Sequence, residues 1–222
     1  MIMAGFKAHM AFGMLTSAAW AAVAIALSLI TFWIAPVVFF AGFIGAFLPD
    51  LDSDTGRPLR ILLLCTGASG AAMAGLYLLE TGQTELKLFA VYTIGTFLFV
   101  YFILGGIFKK LTHHRGIFHS VPAAILAMLV TLTMLNNFDL GAQMKMAISM
   151  AVGIGYLSHL ILDEINSVVN LKGIPFVPNK ASGSALKFYS NNHIITLGVY
   201  FFVIFLGYSS FGLITDFFDA IF

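Results

Sequence analysis

The chain has 222 residues, of which 60% are hydrophobic and only 9% are charged, and its mean hydropathy is +0.98. A soluble domain carries about 25% charged residues. The composition therefore excludes a soluble protein with an ordinary polar surface and indicates an integral membrane protein. The formal net charge of +1 gives no basic field for nucleic acid, and the single cysteine, Cys65, cannot form an intramolecular disulfide.

Apolar runs along the chain give the predicted elements. A membrane-spanning helix needs about 20 mostly apolar residues, and runs of about this kind lie at roughly 10–31, 33–48, 59–79, 86–108, 117–135, 144–163 and 193–214. We therefore predict an all-α fold, a polytopic helix bundle of about seven transmembrane helices that forms a single domain over 1–222. Small residues at 67–75 (GASGAAMAG) and at Gly105, Gly106, Gly153 and Gly155 predict close helix contacts.

The basic residues predict the orientation. If the N-terminus is cytoplasmic, nine of the eleven Lys and Arg residues fall on the inside, and the outside keeps only Lys87 and Lys145. Cytoplasmic loops carry such an excess. We predict an inner-membrane protein with its N-terminus inside and its C-terminus outside.

Unusual polar residues gather at the predicted inside ends of the spans. His9 precedes span 1, LPDLD (48–52) closes span 2, HHRGIFHS (113–120) opens span 5, and GYLSHLILDE (155–164) lies near the end of span 6. His159 and Asp163 are four residues apart, so both project from one face of a helix. Ionisable groups in a span are costly and usually have a polar partner.

A divalent metal would be such a partner. The candidate ligands share imidazole or carboxylate chemistry: His9, Asp50, Asp52, His114, His119, His159 and Asp163. Imidazole and carboxylate suit zinc or manganese, and the lack of thiolates argues against a cysteine-type structural zinc site. Seven ligands are generous for one ion and about right for two, and two-metal sites commonly cleave phosphoesters.

These motifs resemble the YdjM-like family of predicted bacterial membrane-bound metal-dependent hydrolases. The resemblance rests on the N-terminal His9 in KAHMAFG, PDLD at 49–52, HRGIFHS at 114–120 and GYLSHLILD at 155–163, with a weaker match at GIPFVP (173–178). The motif-bearing core covers about 5–178, and the spans at 59–108 and 193–222 carry no motif. Phe118 stands where the family often has threonine.

The resemblance implies hydrolysis at a metal centre, with His9, Asp50, His114, His119, His159 and Asp163 as ligands, and kinship with zinc-dependent phospholipase C-like folds. We expect metal-activated water to attack a phosphoester, and a substrate on a lipid headgroup could enter from the bilayer. His113 would donate a proton to the leaving group, and Arg115 would stabilise an anionic group of the substrate. Ser120 and Ser158 would help to orient the ligands.

Roles outside catalysis stay open for several residues. His113 could be a surface residue, and Arg115 could anchor to lipid headgroups. Two other classes of protein also stay open. An ion or metal transporter would use the His/Asp cluster as a path across the bilayer, and a membrane scaffold would hold a structural metal in a closed coordination shell.

Overall fold

The computed structural model describes residues 6–52, 57–83, 85–106, 119–168, 186–190 and 192–220, and their regular elements are helices. An isolated β-bridge pairs Ser120 with Lys187. The α-helices are α1 (Phe6–Ala26), α2 (Ala35–Gly45), α3 (Arg57–Glu80), α4 (Leu86–Leu98), α5 (Val121–Leu135), α6 (Ala142–Val168), α7 (His193–Ser209) and α8 (Phe211–Asp219). The prediction of an all-α fold is confirmed.

Four helical segments are long and apolar enough to cross a membrane: Ala8–Ala26, Phe32–Asp50, Leu86–Leu104 and Ala142–Ser167. The second reaches this length because 3₁₀ turns at Phe32–Ile34 and Leu48–Asp52 extend α2, and the third because a π-helical stretch, Phe99–Leu104, continues α4. The bent pair α7 and α8 counts as a fifth span if it is taken as one. The chain is a membrane protein, and the count of seven spans and the orientation stay predictions.

Contacts divide the chain into two compact units. The first unit comprises Met1–Pro49 and Arg115–Phe222, and the second comprises Asp50–His114. The motif-bearing residues His9, His119, His159 and Asp163 all belong to the first unit. The single domain over 1–222 stays a prediction.

The second unit contains a helical hairpin whose small residues let its helices approach. A side chain at Gly67 would lie 3.1 Å from Phe97, and one at Gly75 would lie 3.0 Å from Phe89. The pairing runs antiparallel, because the earlier glycine of α3 meets the later residue of α4. The close contact predicted from GASGAAMAG is confirmed at these positions.

Helix α6 is the centre of the first unit, because α1, α2, α5 and α8 all pack on it. Trp20 of α1 donates its indole N–H to the carbonyl oxygen of Ala147 at 2.9 Å. This pairing, with His9 beside His159, shows that α1 runs antiparallel to α6. Residues 9 and 159 therefore share one end of the unit, and residues 20 and 147 lie toward the other.

Glycines bring the backbones of α2 and α6 into direct contact. A side chain at Gly155 would overlap the carbonyl oxygen of Gly42, and one at Gly45 would overlap that of Val152. Of the four glycines predicted to allow close contacts, Gly106 has no atom within 4 Å of an added Cβ among the described residues. The other three have close neighbours, which are Gly42 for Gly155, Met128 for Gly153 and Leu63 for Gly105.

An apolar core fills the end of the first unit that lies away from residues 9 and 159. It draws on α1, α2, α5, α6 and α8, and it includes Ala24, Val38, Leu132, Ala147, Ile148 and Phe217. The sequence predicts one span over 193–214, but α7 ends at Ser209 and α8 bends away by 55°. The side-chain oxygens of Ser210 and Thr133 are 3.4 Å apart at this bend, so a tertiary contact ties the break to α5.

Candidate metal centre

The centre of the candidate site is one turn of α6. His159 and Asp163 stand four residues apart on the same helical face, and His159 Nε2 lies 3.5 Å from Asp163 Oδ2. His159 is 2% exposed, and the side chain of Asp163 is 11% exposed. The predicted pairing of these two residues on one face is confirmed.

Helix α1 adds a second imidazole. Its buried positions, 9, 13, 17, 21 and 24, follow helical spacing and include Gly13, Ser17 and two alanines, so this face packs closely. The spacing aims His9 at α6, where its Nε2 lies 3.2 Å from Asp163 Oδ1. The rings of His9 and His159 are stacked, with centroids 4.0 Å apart and planes 15° apart.

The N-terminus of α5 adds a third imidazole. Ser120 is the N-cap, and its hydroxyl oxygen accepts a hydrogen bond from the backbone N–H of Ala123 at 3.4 Å. Pro122 follows in the first turn, which suits a helix start. This start leaves His119 just before the helix, 3% exposed, with its Nε2 3.9 Å from Asp163 Oδ2.

A backbone carbonyl sets the tautomer of His159. The Nδ1 of His159 and the carbonyl oxygen of Ala46 are 2.9 Å apart, and a carbonyl can only accept, so Nδ1 carries the hydrogen and donates. In the neutral ring, Nε2 is then an unprotonated acceptor on the side of Asp163. Histidines that bind metals show this arrangement, because a partner on the far nitrogen fixes the ring for coordination by the near one.

Two other polar groups border the cluster. The Nδ1 of His9 is buried and has no hydrogen-bond partner among the described residues. Ser158 donates its hydroxyl to the carbonyl oxygen of Gly155 at 2.7 Å, so this contact lies within α6. Its predicted role in orienting ligands stays a prediction.

The cluster fits a divalent ion in donor chemistry and spacing. One ligand atom each from His9, His159 and Asp163 lies within 4.8 Å of the others. Two ligands of a tetrahedral zinc stand roughly 3.3–3.6 Å apart when each bond is about 2.0–2.2 Å. The distances from Asp163 to the two histidines, 3.2 Å and 3.5 Å, are close to this spacing. The buried group could therefore hold a metal ion.

The remaining predicted site residues are Asp50, Asp52, His113, His114 and Arg115. Asp50 is half-buried in the 3₁₀ turn Leu48–Asp52, and its role as a ligand stays a prediction. The side chain of Asp52 lies outside the described residues, and so do His113, His114 and Arg115. The structure brings His9, His119 and His159 together around Asp163, and their roles as metal ligands stay predictions.

The hydrogen bond between His159 and the carbonyl of Ala46 is not predicted by any motif in the sequence. A backbone carbonyl leaves no mark in residue type, but the small residues Gly42, Gly45 and Ala46 recur at helical spacing. Together with Gly155, that spacing could have indicated that this part of α2 approaches α6.

The fold and the site define a helical membrane protein with a buried His/Asp group that could hold a metal ion. A family model described as YdjM inner membrane protein matches residues 3–218. The chain therefore belongs to the YdjM inner membrane protein family. No curated protein and no solved structure gives a significant match.

Proposed function

We propose that the protein is a membrane-bound, metal-dependent hydrolase that cleaves a phosphoester at the cytoplasmic face of the bacterial inner membrane. The observation that carries the proposal is the convergence of three imidazole Nε2 atoms, from His9, His119 and His159, on the two oxygens of Asp163. Those groups are nearly buried, and such a donor set suits a zinc or manganese ion.

A divalent metal ion would satisfy the lone pairs of this cluster without charging both rings. Charging both stacked rings would place two positive charges about 4 Å apart, which costs about 4 kcal/mol at an effective dielectric constant of 20. With His159 neutral, its Nε2 lone pair faces a carboxylate that also accepts. A divalent cation between these groups removes both conflicts, because it pairs with the carboxylate and with neutral imidazoles.

When bound, the ion would lower the pKa of a water molecule and polarise the substrate. The chain's own part is to hold the ligands. Asp163 supplies the negative charge, and Ala46 keeps the His159 ring in its coordinating tautomer through Nδ1. His113 as the proton donor and Arg115 as the anion-binding group complete the proposal.

The level of the cluster in the bundle supports a lipid-borne substrate. Asp163 stands four residues before the end of the apolar segment Ala142–Ser167, which is about 6 Å along a helix. Exposed apolar side chains stand at about the same level, among them Ile161 and Ile165 of α6 and Ile44 of α2. A phosphoester carried at the headgroup of a lipid would lie at this depth.

A transporter would need polar groups across the whole bilayer depth. Toward the far end of the first unit, the described core is apolar, with Ala24, Leu132 and Ala147 buried. The buried Ser149 donates to the carbonyl of Lys145 in its own helix. Lys145 itself is buried near the far end, more than three turns from His159, and the apolar layer between them supports a site that opens at one end.

Hydrolysis by the purified, manganese- or zinc-loaded protein tests the proposal. We expect metal-dependent cleavage of a nitrophenyl phosphodiester or of a phospholipid in mixed micelles, and no cleavage of a nitrophenyl amide. His119→Ala should lower the rate at least about 100-fold, because it removes a ligand. His193→Ala is the matched control, since His193 is exposed at the start of α7. Bound metal without turnover of any phosphoester would refute the proposed hydrolase activity.

A reporter fused after Lys110 tests the orientation. We expect a fluorescent protein at this position to fluoresce and alkaline phosphatase to stay inactive, because Lys109, Lys110 and Arg115 form part of the predicted cytoplasmic charge. An active phosphatase at this position would put the site on the outer face and would contradict the predicted cytoplasmic location.

A further inference from the structure

Helix α8 has three different faces. Leu213, Ile214 and Phe217 pack on the apolar core of the first unit. Phe211 and Phe218, seven residues apart, form a second face and are 63% and 50% exposed.

The third face of α8 is polar. Asp216 and Asp219 are both exposed and stand three residues apart, so they share one edge of the helix. The exposed phenylalanines are absent from this edge, which lies about 120° around the helix from them. The sequence FGLITDFFD thus separates core-facing, apolar exposed and acidic exposed positions.

The position of α8 in the first unit is fixed at both ends. Ser210, where the helix turns, has its hydroxyl oxygen 3.4 Å from that of Thr133, and Phe217 is buried in the core. Thr133 is near the end of α5, while His119 precedes the start of α5, so the length of this helix, about 20 Å, separates α8 from the His/Asp cluster.

We propose that α8 is an interfacial helix that lies in the lipid headgroup layer and caps the end of the first unit opposite the His/Asp cluster. The occupant of its exposed apolar face is lipid, because α8 follows α7, an apolar helix of a membrane protein, after a bend of 55°. A continued span would have no reason to carry two exposed carboxylates, whereas an interfacial helix puts charged groups toward water and aromatic rings toward the acyl chains.

The cap also has a consequence for the site. With Phe217 inserted into the core and α8 lying across that end, the described residues of the first unit close the far end and leave the opposite end for access to the His/Asp cluster. This consequence concerns access alone, and the interfacial position of α8 stands whether or not the cluster binds a metal.

Spin-label depth measurements on the full-length protein in phosphatidylethanolamine and phosphatidylglycerol vesicles test the position of α8. In a Cys65→Ser background, single cysteines replace Phe211, Phe218, Asp216 and Asp219, and Ile204 of α7, which is 70% exposed, serves as the deep reference. All five side chains are exposed, so their replacement leaves no cavity in the core.

We expect labels at 216 and 219 to collide mainly with a water-soluble nickel chelate. Labels at 211 and 218 should collide more with oxygen, at a depth between that of 204 and the aqueous phase. A difference of about 10 Å in depth between the labels at 211 and 218, which are seven residues apart, would show a continued span, and equal nickel accessibility at all four positions of α8 would show a helix in water. Either result would overturn the proposal.

Discussion

Replacing Asp163 with asparagine is expected to abolish tight metal binding and to leave the protein folded. Both oxygens of Asp163 face imidazole nitrogens, at 3.2 Å from His9 and 3.5 Å from His159, so this carboxylate is the shared negative partner of the cluster. Asparagine keeps the shape and removes the charge. After equilibrium dialysis of the detergent-purified protein against zinc, elemental analysis should find less than about a tenth of the wild-type zinc, since loss of a ligand exceeds the 10–100-fold effect of an outer partner.

Asp216→Asn is the matched control. It makes the same chemical change at an exposed carboxylate of α8, far from the cluster, so the net charge of the two variants is equal and only the position differs. Asp216→Asn should retain wild-type zinc. Equal zinc in both variants would disprove the metal centre, and a monodisperse elution profile of Asp163→Asn separates loss of metal from loss of fold.

Much of the site could be predicted from the sequence because its parts are local. The pair His159 and Asp163 follows from helical periodicity alone, and the cap at Ser120 places His119 just before a helix. His9 could be placed at the same site because α1 and α6 are antiparallel, so the start of α1 lies beside the end of α6. The hydrogen bond from His159 to Ala46 could not be predicted, since it depends on how closely two backbones approach.

The fold was less predictable where tertiary contacts override composition. The apolar run at 193–214 indicates one span, yet α7 ends at Ser209. Composition cannot show this break, because the residues directly after it, 211–214 (FGLI), are also apolar. The bend depends on the contact between Ser210 and Thr133 and on the burial of Phe217, and both involve partners far away in the sequence.

Gly155→Ala is expected to lower the free energy of unfolding by about 3 kcal/mol, at the upper end of the usual cost of overpacking. The added methyl group would overlap the carbonyl oxygen of Gly42 and lie 3.0 Å from the backbone nitrogen of Ala46. Backbone cannot rotate away as a side chain can, so α2 and α6 must separate. Unfolding of the protein in mixed micelles by titration with sodium dodecyl sulfate measures the loss.

The Gly155→Ala variant also tests whether the packing of α2 on α6 affects metal binding. Ala46 accepts the hydrogen bond from His159, so a shift of α2 away from α6 removes the group that fixes the coordinating tautomer. The folded fraction of Gly155→Ala should therefore bind zinc about 10–100-fold more weakly. Gly198→Ala in α7 is the control, because an added Cβ there has no described atom within 4 Å, and it should keep both stability and zinc affinity. If Gly155→Ala is destabilised but its folded fraction keeps wild-type zinc affinity, the contact between α2 and α6 supports the fold without setting the geometry of His159.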